Sequence, residues 1–390
     1  FSQPEMIGQR FGRRARQLLA APLALVFLIW CGAEIYAAAI ILAPLLQTSK
    51  QVMLALIAGV VATYSYLGGF AAVVSTDKVQ YTLVAFFIGA MAFLGGQAVL
   101  QNESVASWLA NLPVPPKSKA SAMSFFSAGA ALIAMTFAAY LPGWLVETDV
   151  WIRLQAAASD TKARQAVAIA ATNSLIFVGA LPMVIGLAAL YLYPPANGVI
   201  PPALNDGATI FAVLMHEHAP VWLNVMLAIG LVAAAMSTID TCGNVAALSI
   251  CYDIIVPSMK SPSPAAKLQL ARSMTVLSIF AAYLYSLFTE SLWDIFYLSS
   301  GILTTTIFLP VLAIFLANTK PHQVQATIVT GLLATLVFYF LEHRGLLASL
   351  EPAWLSATGL GYILWGFIAS LLSFVMVGWF GLVNAKNRSA

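Results

Sequence analysis

A few charged side chains stand inside or at the ends of long apolar stretches, and these are the first candidates for chemistry in this sequence. Glu34, Glu147, Asp149 and Asp240 lie within such stretches, and Asp77 lies where another one ends. An ionisable group costs about 3 kcal/mol or more at the centre of a bilayer, and such residues therefore tend to mark substrate or ion pathways. They are functional candidates before any fold is assigned.

Hydroxyl groups stand among small residues in the segment LVAAAMSTIDTCGNVAALSICYDI. Ser237 and Thr238 supply two hydroxyls, and the carbonyl of Ala234 lies about one helical turn before them. A hard cation such as Na⁺ takes oxygen ligands that have no bulky neighbours. Small residues also allow two helices to pack closely. This segment alone leaves ion binding and helix packing open.

Two further segments carry breaks in their helical pattern. In YLPGWLVETDVWIRLQAA, the Pro142–Gly143 pair predicts a broken helix, whose freed backbone groups can bind solute or ion in a transporter. Tyr140 and Trp144 flank this break and could contact or gate a solute, or anchor the chain at a membrane interface. In YSYLGGFAAVVSTDKVQ, the Gly68–Gly69 pair interrupts an apolar helix and suggests close packing or a local break. Asp77, further along this segment, could either cap the helix that follows it or lie in an ion path.

The composition requires a lipid environment for the elements that position these residues. Of the 390 residues, 61% are hydrophobic and 8% charged, whereas soluble domains carry roughly 25% charged residues. Spanning helices need about 20 mostly apolar residues. Ten stretches approach that length and predict an all-α membrane protein: 18–46, 51–74, 79–100, 124–151, 166–194, 221–252, 268–289, 293–317, 324–341 and 355–384.

Charge placement predicts the orientation, and missing motifs exclude other classes. If 1–17 is a cytoplasmic loop, fourteen of the eighteen Lys and Arg residues fall on the cytoplasmic side, as the positive-inside rule requires. We therefore expect a single polytopic domain over 1–390, in the plasma membrane with both ends cytoplasmic. The net charge of +3 does not indicate a nucleic-acid partner. The absence of HExxH, GxSxG and paired cysteines argues against an enzyme and a metal centre.

Three segments resemble the sodium:solute symporter family, which includes sodium/proline, sodium/sugar and sodium/pantothenate transporters. YSYLGGFAAVVSTDKVQ at 64–80 is similar to the family's Y-x-x-x-GG-x-x-A-V-x-x-TD-x-x-Q signature. AAAMSTIDTCGNVAALSICYDI at 233–254 resembles its sodium-site helix, and IRLQAAASDTKAR at 152–164 resembles the segment after its broken helix. The likeness covers essentially the whole chain.

The resemblance implies a fold of two inverted five-helix repeats. Core helices three to ten would occupy about 18–317, two trailing helices would occupy about 324–384, and the family's first helices would be lacking. It also implies Na⁺ as the coupling ion and a set of site residues: Ala234, Ser237 and Thr238 for sodium, Asp77 and Asp240 for a second cation or the ion path, and Tyr140, Trp144, Glu147 and Asp149 for the solute or its gate.

The implied function is sodium-coupled import of a small organic solute by alternating access. Pro142–Gly143, Glu147 and Asp149 depart from the sugar-carrying branch. The two acidic residues favour a zwitterionic or cationic solute over a sugar, although they could equally pair with Arg153. The alternatives are a transporter-like sensor and an accessory membrane subunit without transport. The sequence does not predict an oligomeric state.

Overall fold

The computed structural model describes residues 2–115, 120–289 and 291–386, of which 69–75, 206 and 380–386 are described by their backbone alone. The predicted ends of the domain at residues 1 and 387–390, and 116–119 of a predicted outer loop, lie outside this part. In the described part, β pairing is limited to one isolated bridge between Ala196 and Val199. The α-helices are, in chain order, α1 Gln3–Phe11, α2 Arg13–Leu45, α3 Lys50–Leu100, α4 Val105–Ala110, α5 Ala130–Leu145, α6 Thr148–Gln155, α7 Asp160–Ser174, α8 Leu181–Leu192, α9 Ile210–His218, α10 Val221–Leu248, α11 Pro264–Leu287, α12 Leu292–Ile302, α13 Leu309–Leu312, α14 Pro321–His343, α15 Ala353–Ser356 and α16 Gly361–Lys386.

Several of the long helices contain wider or tighter turns. Stretches of π-helix join α7 to α8 at Leu175–Ala180, extend α10 at Ser249–Ile255, and join α12 to α13 at Leu303–Phe308. Tighter 3₁₀ turns occur at Pro202–Gly207, Val256–Ser258 and Leu347–Ser349. A π-turn inside a helix often accompanies a functional site, and the one at 303–308 packs on α5.

Serine side chains begin six of the helices. Each accepts a hydrogen bond from the backbone N–H three residues further on, which satisfies one of the free donors of the first turn. The six are Ser2, Ser49, Ser104, Ser159, Ser263 and Ser291.

Ten described segments are long and apolar enough to cross a membrane, which confirms the ten predicted crossings. Large apolar side chains on their outer faces are exposed, such as Phe137 at 64% and Val375 at 56%. Such exposure suits lipid rather than water. The segments are Arg13–Leu45, Lys50–Gly68, Thr76–Leu100, Ala130–Gln155, Asp160–Leu192, Val221–Ser258, Pro264–Leu287, Leu292–Leu312, Pro321–His343 and Gly361–Trp379.

Helix α3 contributes two of these segments and bends between them. A straight helix of 51 residues would be about 77 Å long at 1.5 Å per residue, more than twice the hydrocarbon thickness. A Cβ on Gly230 of α10 would lie 2.7 Å from Phe87 Cβ. Only two residues further along α10, Val232 lines a cavity with Ile57 of α3. Both halves of α3 therefore flank the same part of α10, so α3 bends between Ile57 and Phe87.

The N-terminal segment differs from the predicted loop at 1–17. Helix α1 begins where Ser2 accepts from the Glu5 N–H, and it ends at Gly12, whose φ of +90° suits glycine. Gln3 is fully buried and donates to the carbonyl of Val146. These contacts fasten α1 to the segment that joins α5 and α6.

Helix α2 lies in the interior and packs on α3, α10, α11 and α12. Glycines allow the closest approaches. A Cβ on Gly32 would lie 2.8 Å from the carbonyl oxygen of Ala282, and one on Gly243 would lie 2.8 Å from Ile279 Cγ1. This packing fixes the rotation of α2 and α10, and thereby the residues that they turn toward each other.

Candidate functional site

A cavity of about 330 Å³ lies between α2, the α5–α6 segment, α10 and α12. The Arg153 side chain at its wall is 52% exposed, so the cavity opens to the surface at that end. The wall consists of Phe27, Trp30, Ala33, Glu34, Trp144, Glu147, Asp149, Arg153, Ser237, Thr238, Thr241, Cys242 and Phe296. Five of the predicted site residues, from two distant segments of the sequence, thus meet around one space: Trp144, Glu147, Asp149, Ser237 and Thr238.

Helix α10 presents the hydroxyl groups of Ser237, Thr238 and Thr241 to this cavity. Ser237 Oγ donates to Asp77 Oδ1 at 3.0 Å, and Thr238 Oγ1 donates to the carbonyl oxygen of Ala234 at 3.3 Å. Because each hydroxyl hydrogen is used by a protein acceptor, the oxygen lone pairs remain available to a cation. The predicted sodium ligands therefore lie within one turn of α10, and two of them line the cavity.

Asp77 lies inside α3 and does not cap a helix, because α3 continues through it. Its carboxylate is placed behind Ser237 and 3.7 Å from Arg153 Nη2. Arg153 also contacts Asp149 Oδ2 at 3.3 Å and Thr241 Oγ1 at 3.4 Å. One guanidinium thus connects α3, α6 and α10 beside the hydroxyl groups.

Asp240 is fully buried on α10 but does not line the cavity. Its Oδ2 accepts from Tyr64 OH at 2.7 Å, and Thr241 Oγ1 lies 3.5 Å from its Oδ1. The side chain therefore faces α3. Its link to the cavity runs through Thr241, which also contacts Arg153.

The helix break that was predicted at Pro142–Gly143 occurs instead after Leu145. Helix α5 continues through Pro142 to Leu145, and α6 begins after Glu147. The side chain of Thr304 explains why α5 continues through Pro142. Its hydroxyl accepts a hydrogen bond from the Gly143 N–H at 3.1 Å and donates one to the Ala139 carbonyl. In a regular helix these two backbone groups would bond to each other. The inserted hydroxyl satisfies both and lets the helix deform without ending.

The two aromatic residues that flank Pro142–Gly143 do not face the same space. Tyr140 lines a second cavity of about 400 Å³ and packs edge to face against Tyr297, with ring centroids 5.3 Å apart. Trp144 and Phe296 line both cavities. These two rings stand between the spaces, whereas Tyr140 lies on the far side of Trp144, with ring centroids 5.8 Å apart.

Several lining residues were not among the predicted site residues. Phe27, Trp30 and Glu34 recur at helical spacing along α2, and Phe296 comes from α12. Glu34 could be recognised in the sequence as a functional candidate, because it is a carboxylate inside an apolar stretch. The direction in which its side chain points could not be derived, because the rotation of α2 depends on packing against α10 and α11.

A family model described as the sodium:solute symporter family matches residues 2–331. The chain belongs to the sodium:solute symporter family. No functionally curated protein matches the sequence. Among solved structures, it is similar to a Na⁺-coupled sialic acid symporter, described as substrate-bound and outward-open with a novel Na⁺ site. The TM-score is 0.74 at 16% identity, over 97% of this chain and 77% of the other.

At that identity, the structural likeness shows the fold alone. It confirms the predicted all-α inverted-repeat transporter fold. Family membership identifies a membrane transport protein rather than an enzyme, with Na⁺ as its coupling ion. Which residues hold the ion, and what the solute is, depend on the geometry above.

Proposed function

We propose that this symporter uses inward sodium movement to import a small organic solute through the cavity of about 330 Å³. One observation carries the proposal: the hydroxyls of Ser237 and Thr238 line the same cavity as Trp144, Glu147 and Asp149. Ion and solute can therefore occupy one space and stabilise the same conformation. Each Na⁺ that moves down 100 mV supplies about 2.3 kcal/mol, to which its concentration gradient adds.

The sodium site in this proposal consists of the Ala234 carbonyl and the hydroxyls of Ser237 and Thr238. Asp77 lies directly behind Ser237, and Asp240 reaches the same region through Thr241. Both carboxylates are proposed to serve a second cation or the path by which sodium leaves. Arg153 already contacts Asp77, so a cation that passes there exchanges places with a guanidinium.

The solute in this proposal lies between the ion and the aromatic pair Trp144 and Phe296. Trp144 acts as the gate between the two cavities, and Tyr140 supports it from the far side. Glu147 and Asp149 favour a zwitterionic or cationic solute. Sialic acid, the solute named for the structural neighbour, is not proposed as the solute of this chain, because the carboxylates that line the cavity would repel a solute with a net negative charge.

Alternating access is proposed to open this cavity to each side in turn. The exposed end of the cavity at Arg153 belongs to a Lys/Arg-rich side of the chain, which is proposed to be cytoplasmic along with both chain ends. On this basis the chain is a single polytopic domain of the plasma membrane, and the structure corresponds to a state open toward the cytoplasm.

Binding of ²²Na⁺ to the purified full-length protein tests the ion site. The double variant Ser237→Ala/Thr238→Ala should lose saturable binding, because two of three proposed ligands disappear. Ser278→Ala is the matched control, since Ser278 is a buried serine of α11 whose hydroxyl has no hydrogen-bond partner in the described structure. Equal binding by the double variant and the control would refute the site.

Transport itself is tested in proteoliposomes with an inward sodium gradient and a panel of labelled solutes. We expect uptake of at least one solute to depend on sodium and to disappear when potassium replaces it. Sodium binding without gradient-driven uptake of any solute would favour the alternative of a sensor or accessory subunit.

A further inference from the structure

Glu34 is a carboxylate of the cavity that neither the proposed sodium site nor the proposed gate uses. It lies on α2, which is among the most buried of the helices, across the cavity from α10. In the described part of the chain, no Lys, Arg or His nitrogen lies within 4 Å of it. A charged carboxylate withdrawn from water is unfavourable unless a cation accompanies it. A partner from outside the protein would meet that requirement.

The charges that line the cavity point to the same need. The wall has three carboxylates, from Glu34, Glu147 and Asp149, and one guanidinium, from Arg153. That guanidinium is already shared between Asp149 and Asp77. With all three carboxylates ionised, the wall carries a formal charge of minus two. One Na⁺ together with one singly charged organic cation would neutralise it.

Aromatic rings adjoin Glu34 on the same face of α2. Phe27, Trp30 and Glu34 are spaced three and four residues apart, which places them on one stripe of the helix. The rings of Phe27 and Trp30 meet edge to face at 88°, with centroids 5.3 Å apart, and form a corner. The faces of such rings attract ammonium and guanidinium groups, so a carboxylate beside an aromatic corner suits a cationic nitrogen.

The remaining polar group of this stripe is the indole N–H of Trp30. Its nitrogen is buried and has no hydrogen-bond partner in the described structure. Because this nitrogen is enclosed by protein, it offers no donor to a solute in the cavity. The carboxylate of a zwitterion would also lack a cationic partner, because Arg153 is the only cationic side chain among the described residues of the wall and is held by Asp77 and Asp149.

We infer that the solute is a small organic cation, whose positively charged nitrogen binds between Glu34 and the corner formed by Phe27 and Trp30. This inference rests on the proposed function and narrows it, since it excludes sugars, acids and zwitterions as the main cargo. It makes Glu34 the residue that determines specificity for charge.

Matched probes that differ only in charge test the inference. Choline is compared with its neutral isostere 3,3-dimethyl-1-butanol and with zwitterionic betaine, and ethanolamine is compared with 1-propanol. Binding to the full-length protein is measured by titration calorimetry in NaCl and in KCl. We expect at least one cation to bind about tenfold more tightly than its counterparts, and only in sodium, as a charge-assisted contact implies.

Glu34→Gln should reduce that preference about ten- to hundredfold. Glu103→Gln, outside the cavity, should leave it unchanged. If Glu34→Gln does not fold, Trp30→Leu replaces it, because it removes half of the aromatic corner and should also lower the preference for a cation over its neutral isostere. Equal binding of cations and neutral isosteres, binding of neither, or an unchanged preference in Glu34→Gln would overturn the inference while sodium binding persists. Loss of sodium binding in the unmodified protein would instead overturn the proposed function, and this inference with it.

Discussion

The inserted hydroxyl of Thr304 gives a quantitative test of how α5 tolerates Pro142. Thr304→Val keeps the shape of the side chain but removes the group that bridges the Gly143 N–H and the Ala139 carbonyl. Each buried backbone group left without a partner costs about 1–3 kcal/mol. Partial re-pairing of the two groups with each other would recover some of this. We therefore expect the free energy of unfolding to fall by about 2–4 kcal/mol.

The assay is reversible unfolding in mixed micelles with increasing SDS, followed by tryptophan fluorescence. Thr327→Val is the matched control, because Thr327 is equally buried but its hydroxyl donates at 2.8 Å to Gln323 O within its own helix. That carbonyl can keep its backbone partner, so the control should lose less than about 1 kcal/mol. Equal losses in the two variants would refute the bridging role of Thr304.

Three further outcomes are expected. Gly143→Ala should lower the free energy of unfolding by about 1–3 kcal/mol, because its Cβ would lie 2.9 Å from Leu303 Cβ. Gly186→Ala is the control and should leave the free energy of unfolding unchanged, because a Cβ at Gly186 would meet open space. Tyr64→Phe should lower it by about 1–3 kcal/mol through loss of the donor to Asp240, and an unchanged SDS midpoint would contradict this. Cys242 lines the cavity and should react with a methanethiosulfonate reagent before the chain's other two cysteines, as peptide mass spectrometry would show.

The ten crossings could be predicted because the length of an apolar run is a local property. The bent shape of α3 could not be predicted in this way. The Gly68–Gly69 pair and Asp77 indicate an interruption, and the prediction of two spans is confirmed. The short loop between the spans is absent, since the backbone stays helical through the bend. Packing of both halves against α10 determines the bend of α3, and such packing cannot be derived from the sequence of one segment.

The same distinction applies to the site. The arrangement of Ala234, Ser237 and Thr238 follows from helical periodicity alone, so their common turn of α10 could be predicted. Glu34 could be recognised as costly, but whether it faces lipid, a neighbouring helix or the cavity depends on the rotation of α2. The contact of Thr304 with α5 joins residues about 160 positions apart, so no local sequence pattern predicts it.

The two sides of the cavity differ in how their charges are compensated, and this difference suits a carrier of two cargoes. Beside the hydroxyls of α10, Arg153 compensates Asp77 and Asp149, so neutral oxygens face an ion whose binding must be reversible. On the α2 side, Glu34 has no cationic partner among the described residues and stands beside aromatic rings. The α2 side therefore attracts the solute strongly, which suits selection of a molecule. The α10 side binds the ion weakly, which suits an ion that must enter and leave within each transport cycle.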